Sequence, residues 1–542
     1  MSPAPVRPGW RRRGLLLALL LGTAQVAAAA PPSLLRIGNG NEPETLDPQR
    51  VEGVSASNIV RDLYEGLSAL SPRGEVVPGA AERWEISADG REYLFHLRPQ
   101  ARWSNGDALS AEDFVAGLRR SVDPATASAY AQMLAPIEGA TAVIAGELPG
   151  SQLAVQALDP QTLRIRLRAP TPYFLGLLAH PSSFPVHRPS LARWGRDFPR
   201  PGRLVSNGAY ALVDWVPQGQ VRLRRNPHYW NDGNTGIDEL EFRPSEDANG
   251  ELKRYRADEL DISYEIPLLQ APWLRRHLGG ELRIAPYIGT YFYGFNCSQP
   301  PFKDNPKLRA ALTLAVDRAV IVNKVMNGVA LPAYSLVPPG ISGYTPQQPE
   351  WAGWTRERRL AEARRLYAEA GYSAAHPLEV ELRYNTHDDH RRIATVIAAM
   401  WKQWLGVRTR LLNEEFKVFI QNRNLRQLTQ LFRAVWIGDY DDASAFTDIL
   451  HSRHGQNDMA YDNPRYDALL AAAAAEADPA RRQGLLAEAE RLLQADWPVL
   501  PIYTYASKHL VKPWVQGWQD NALDIHYSKD LRIVGRPAER SR

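Results

Sequence analysis

Apolar and polar side chains alternate with period two in residues 91–98 (REYLFHLR) and 161–168 (QTLRIRLR), which predicts strands with one buried face. Residues 209–216 and 221–225 read the same way. The period changes further on. Leu378, Val380, Leu382 and Tyr384 alternate, then Ile393, Val396, Ile397, Met400, Trp401 and Trp404 recur at helical spacing. Gly406 suits a left-handed helix terminus, and residues 407–412 resume the strand pattern. Strand, helix and strand in such close succession predict a βαβ unit with a parallel pair. Downstream, Asp478-Pro479 is an N-cap followed by proline at the first helical position. Leu485, Leu486, Ala489, Leu492 and Leu493 then form one apolar stripe, Pro498 stops the helix, and 499–505 returns as a strand. The fold class is α/β, richer in strands in the first third.

A chain of 542 residues exceeds what one hydrophobic core supports, so two or three domains are expected. One Cys, Cys297, excludes a disulfide scaffold, and a buried small hydrophobe is the expected role for it. The formal charge of +4 comes from Arg7, Arg11, Arg12 and Arg13; without them the basic residues equal the 60 acidic ones. Nothing in that balance points to nucleic acid or to an anionic membrane. Those arginines precede the apolar run 14–22 and then Ala27 to Ala30, the layout of a cleavable secretory signal peptide over 1–30. No Cys lies near the cut, so lipid attachment there is excluded. The mature chain is expected free in the periplasm, with no stable membrane insertion after cleavage.

Catalytic signatures are missing. There is no phosphate loop of the G-x-x-x-x-G-K-[ST] type, no H-E-x-x-H helix and no G-x-S-x-G elbow, and Gly38-Asn39-Gly40 is too short for a dinucleotide fingerprint. His387 and His390 flank Asp388 and Asp389, a pattern read here as a solvated first helical turn rather than a metal site. The remaining histidines are scattered along the chain. No enzyme, cofactor or metal is expected; an exported hydrolase is the least favoured reading.

Residues 81–124 (AERWEISADGREYLFHLRPQARWSNGDALSAEDFVAGLRRSVDP) carry W-x-x-S-x-D, F-x-L-R, W-S-x-G and S-A-x-D-F in that order. With EPETLDP (42–48), SNIVRDLYEGL (57–67), NGAY (207–210), NPHYW (226–230), RAALTLAVDR (309–318) and WIGDYDDASAF (436–446), they resemble the extracytoplasmic solute-binding proteins of peptide ABC transporters. The likeness is strongest to periplasmic oligopeptide-binding proteins and covers essentially the whole mature chain. It implies a two-lobe, three-domain binding protein with a ligand cleft and a two-strand hinge. The first lobe would join a main domain of 31–65, 186–286 and 506–542 to an inserted domain of 66–185. The second lobe would span 287–505, with the crossings near Tyr287 and Tyr505.

The same resemblance implies short peptides as ligand, an inner-membrane ABC permease as partner, and a monomer. An extended peptide would add as a strand, with Glu52, Gly53 and Val54 on one side and Val435, Trp436 and Ile437 on the other. Asp439 would meet the ligand ammonium. Arg433, His390 and Arg423 (or Asn422 or Arg426 in its place) would meet the carboxylate, with Tyr130 and Tyr505 lining the cleft. Met326 stands where related oligopeptide binders carry a lysine. That departure leaves murein peptides, dipeptides or a non-peptide solute open as cargo beside oligopeptides of about two to five residues.

Overall fold

The computed structural model describes residues 1–4, 32–245, 247–438, 440–476 and 478–537. The apolar run of the expected signal peptide and Asp439 lie outside the described residues.

Three principal sheets organise the chain. In the first, Leu34–Gly38 pairs in parallel with Glu239–Arg243, which pairs antiparallel with Gln220–Arg225 and that in turn with Tyr210–Val216. The second is antiparallel, with Ala81–Ile86, Glu92–Leu97, Thr162–Arg166 and Val155–Asp159 in spatial order. The third has six strands in the order Leu331–Pro332, Val499–Leu510, Leu282–Phe295, Leu431–Ile437, Glu379–Asn385, Arg408–Glu414.

Local rules explain most elements. Val380, Leu382 and Tyr384 are buried on one face of their strand, and Ile393, Ile397 and Trp401 form the buried stripe of the helix Asp388–Leu405. Gly406 ends that helix at φ +75°, and Arg408–Glu414 then pairs in parallel with Glu379–Asn385. Asp478 caps the helix Pro479–Asp496 by accepting from the Arg481 amide at 2.8 Å. Here the structure departs from expectation. The strand after Pro498 runs on to Leu510, five residues past Tyr505 as they are numbered. Its partner Leu282–Phe295 is long as well, and a register shift between Pro286 and Thr290 lets the two ladders continue on either side of a bulge.

The 81–124 motifs turn out to be structural. Trp103 is buried and donates to Asp113 at 3.3 Å, while Asp113 closes a capping box with Ser110 and accepts from Arg188 at 2.8 Å. One core packs the first two sheets together; two others lie against the six-stranded sheet. Leu252, Tyr255, Leu260, Ile266 and Leu274 belong to one of these latter cores, although their segment follows the first sheet in sequence.

Candidate functional site

Two adjoining cavities, of about 700 and about 470 Å³, share Ala248 and Glu265 in their walls. The larger is walled by the third sheet (Arg433, Tyr503, Tyr505, Lys508), by the first turn of the helix Asp388–Leu405, and by Met326, Val329 and Ala330. Residues 247–249 and 265–269 face them across the space. The smaller is walled by Glu42, Glu44, Gly53, Val54 and Tyr264. Together they form one cleft.

Arg433, His390 and Tyr505, far apart in sequence, converge in the larger cavity. Arg433 is buried, yet among the described residues it has no ion-pair partner. Its guanidinium lies 5.2 Å from the Tyr291 ring and reaches Asn385 at 3.4 Å, while its Nε is buried without a hydrogen bond. Burial alone would lower its pKa, but the neighbouring Tyr505, Tyr291 and Tyr503 hydroxyls leave it raised. A permanent positive charge thus stands in a wall of tyrosines. Such a charge is costly to bury until an anion meets it.

His390 overturns one expectation. It is not solvated: it is 8% exposed, and its Nδ1 lies 3.3 Å from the Tyr291 hydroxyl. Burial, and then the charges of Arg433 and His387, push its pKa down to about 2. It therefore offers hydrogen bonds in its neutral form, and the charge for an arriving carboxylate has to come from Arg433.

Arg423 does not join this pair. Its Nε lies 2.8 Å from Asp458 with both side chains largely buried, so its charge is already matched inside the protein. Asn422, one substitute, donates to Glu414 at 2.9 Å; neither it nor Arg426 lines the cleft. Trp436 and Tyr130 also stay out of the described cavities. Trp436 donates to the Ala445 carbonyl at 2.6 Å, and the Tyr130 ring lies 4.5 Å from His180.

The Leu431–Ile437 strand is the most informative element. It is fully paired with Leu282–Phe295, from Phe295↔Leu431 to Gly289↔Ile437. On its other edge, pairing with Glu379–Asn385 stops at Arg383↔Phe432. Gly438 N–H donates to the Ile288 carbonyl at 2.8 Å, which sets the parity: Trp436 and Gly438 turn their backbone groups inward to that partner. Val435 and Ile437 consequently turn theirs to the edge that no strand among the described residues covers. Across the cleft, the N–H groups of Glu52 and Gly53 both donate to a Glu44 carboxylate oxygen, at 2.7 and 2.8 Å. Val54 is exposed at the start of the helix Val54–Leu63.

Sequence reasoning missed Glu44, Glu265 and Lys508. Glu44 lies in the EPETLDP segment that carries the resemblance, yet nothing in its spacing assigns it a role; Glu265 and Lys508 stand outside the quoted motifs, and only the folded chain turns all three toward one space.

Cys297 is mostly buried, and burial raises its thiol pKa to about 11. At pH 8 the thiolate fraction is then roughly one in a thousand. Iodoacetamide should leave the native protein unlabelled over a period that fully alkylates the urea-unfolded chain, as mass spectrometry would show.

An open strand edge, a buried cation unpaired among the described residues and a deep cleft between sheet systems define a solute-binding protein. Comparison with known proteins specifies which kind. Residues 75–458 match the family described as bacterial extracellular solute-binding proteins, family 5 Middle, and the chain belongs to that family. It is 39% identical to the periplasmic oligopeptide-binding protein OppA of Escherichia coli, over 96% of this chain and 97% of that one. It is 38% identical to the probable deoxycholate-binding periplasmic protein YgiS of the same organism, over 97% and 99%. The solved structure of the Escherichia coli murein tripeptide-binding protein MppA matches with TM-score 0.83 at 35% identity, covering 94% of this chain and 99% of that one. Among the described residues no helix is long and apolar enough to cross a membrane.

Proposed function

We propose that this protein binds short peptides in extended form and delivers them, from the periplasm, to an inner-membrane ABC permease. The observation that carries this reading is the uncovered edge at Val435 and Ile437 with Arg433 two residues away. An extended peptide laid there gains main-chain hydrogen bonds irrespective of its side chains. A strand advances about 3.3 Å per residue, so Arg433 and Ile437 are about 13 Å apart, the length of roughly four peptide residues. The resemblance gives Asp439, just beyond, the ligand ammonium. Glu52 and Gly53 would engage a peptide by exchanging Glu44 for it.

The proposed architecture is two lobes, of which the first holds the main and inserted domains, joined by crossings at the bulge around 286–290 and at Tyr505. The first two sheets fall wholly within the first lobe so drawn. Close to the crossing at Ile288, the rings of Tyr173 and Tyr440 stack at 4.6 Å, and Tyr440 packs against the cores of both lobes. The protein would work as a monomer, without a catalytic step.

A second reading keeps the cleft and changes the cargo to a non-peptide carboxylate, because Met326, Val329, Leu268 and Leu269 place apolar surface in the Arg433 cavity. Calorimetry with tripeptides and tetrapeptides separates the two. N-acetylation, or Asp439→Asn, should weaken peptide binding roughly tenfold to a hundredfold, since a charge-assisted bond is lost. Scrambling the sequence at constant length should matter less than changing the length. Peptides that bind equally well when acetylated, or not at all beside a tightly bound bile-acid carboxylate, would establish the second reading instead.

A further inference from the structure

Behind the cleft, three side chains with no part in it converge. Among the described residues, His509, Asp524 and His526 are the one group of three ligating side chains whose donor atoms all lie within 4.8 Å of one another. We propose that they form a binding site for a divalent transition-metal ion of the zinc class.

The hydrogen-bond geometry supports a cation at this point. His509 Nδ1 lies 3.0 Å from the Ser263 carbonyl, which only accepts, so that nitrogen carries the ring proton. The other nitrogen, Nε2, sits 2.9 and 3.1 Å from the two carboxylate oxygens of Asp524. A cation therefore stands between ring and carboxylate: either a second ring proton, which makes His509 an imidazolium paired with Asp524, or a metal ion in that proton's place. His526 Nε2 adds a third donor atom, 3.1 Å from Asp524 Oδ1.

Two further features belong to a metal centre. A ligating histidine ordinarily donates its far N–H to a carbonyl or carboxylate, which fixes the tautomer, and His509 does so. The His526 ring is held by stacking on Trp518, with centroids 3.7 Å apart. Two imidazole nitrogens and one carboxylate oxygen make the donor set of an open zinc site, whose tetrahedron has edges of about 3.3 Å. The donor-atom spacings, 2.9 and 3.1 Å to Asp524 and none above 4.8 Å, bracket that edge. The fourth position opens on a cavity of about 60 Å³ lined by all three residues and by Asn58, enough for a water molecule.

Position suggests what the ion does. His509 lies near the end of the strand Val499–Leu510, and Asp524 and His526 lie on the chain after it. Ser263 and Tyr264 follow Ile262, which pairs with Ile37 beside the first sheet, and Val54 and Tyr264 wall both this cavity and the smaller part of the cleft. A bound ion would brace the C-terminal segment against the floor of the cleft, stabilising the protein without touching cargo.

The test uses tag-free protein stripped with EDTA and dialysed at pH 7.5. Titration with ZnCl₂ should show one tight site by calorimetry and one zinc per chain by elemental analysis, with a raised thermal midpoint. CoCl₂ should give the visible absorption of a tetrahedral N/O centre. His526→Gln, which keeps a hydrogen bond to Asp524, should abolish the site, as should Asp524→Asn. Zinc uptake that is absent, or unchanged in His526→Gln, would overturn the proposal and leave Asp524 as the counter-ion of a doubly protonated His509.

Discussion

Arg433→Met should weaken the binding of an unmodified tetrapeptide by about 2–5 kcal/mol, the loss typical when one partner of a buried, hydrogen-bonded charge pair is truncated. The wild type should bind the C-terminally amidated tetrapeptide far more weakly than the free acid. The variant should bind both alike, which ties the loss to the carboxylate. Stability should not suffer in the empty protein, because Arg433 is buried with no anionic partner among the described residues and its removal relieves that burden. The variant also makes a pH prediction. In the wild type His390 has a folded pKa near 2, below its unfolded value near 6.5. The unfolded chain therefore takes up a proton that the folded one refuses, and stability falls as pH drops from about 6.5 toward 2. Without the charge of Arg433 the folded pKa should rise and that acid window should narrow. NMR titration of His390 reads this directly; an unmoved resonance would show that burial alone sets its pKa.

The second large effect is on the fold. Arg318 is 1% exposed and donates through Nε to the carbonyls of Ala333 and Pro501, at 2.7 and 2.8 Å. Its Nη1 reaches the carbonyls of Thr313 and Val316, at 3.2 and 3.1 Å. One planar fork thus satisfies acceptors from three separate segments, and its carbon lies 4.8 Å from the Trp351 ring. Arg318→Met would leave four buried carbonyls without that donor, at about 1–3 kcal/mol for each that finds no substitute. Relaxation and entering water should reduce the total to about 3–5 kcal/mol, among the largest single-site effects. Arg318→Lys should rescue little, since a single ammonium cannot reproduce the fork. Urea denaturation monitored by tryptophan fluorescence measures this, and molecules that remain folded should bind peptide normally. A midpoint unchanged by Arg318→Met would mean that water already serves those carbonyls.

The same residue shows why a motif can be legible and still mislead about its role. RAALTLAVDR marks the family, but it begins with Arg309 donating to the Asp496 and Phe302 carbonyls and ends with Arg318 doing likewise elsewhere. Its charges serve the core, as do Trp103 and Asp113 in the densest motif. Family resemblance located the protein; it did not separate residues that hold the fold from those that meet cargo.

What the sequence determined by itself is what nearest neighbours along a chain determine. Period two over 91–98 and 378–384, period 3.6 through Trp401, the Asp478 cap and the Gly406 terminus are local consequences of backbone geometry, and each formed the element expected. The site is a different matter. Arg433 lost its rival Arg423 to Asp458. His390 left solvent for the space beside Tyr291, and histidines that read as scattered met at Asp524. None of these outcomes is encoded in spacing, because electrostatic partnership depends on distance through space and on exclusion of water. Both are settled only when strands far apart in sequence, such as Leu282–Phe295, Leu431–Ile437 and Val499–Leu510, lie side by side. Local patterning chose the elements; the packed sheet decided which charges remain free to bind.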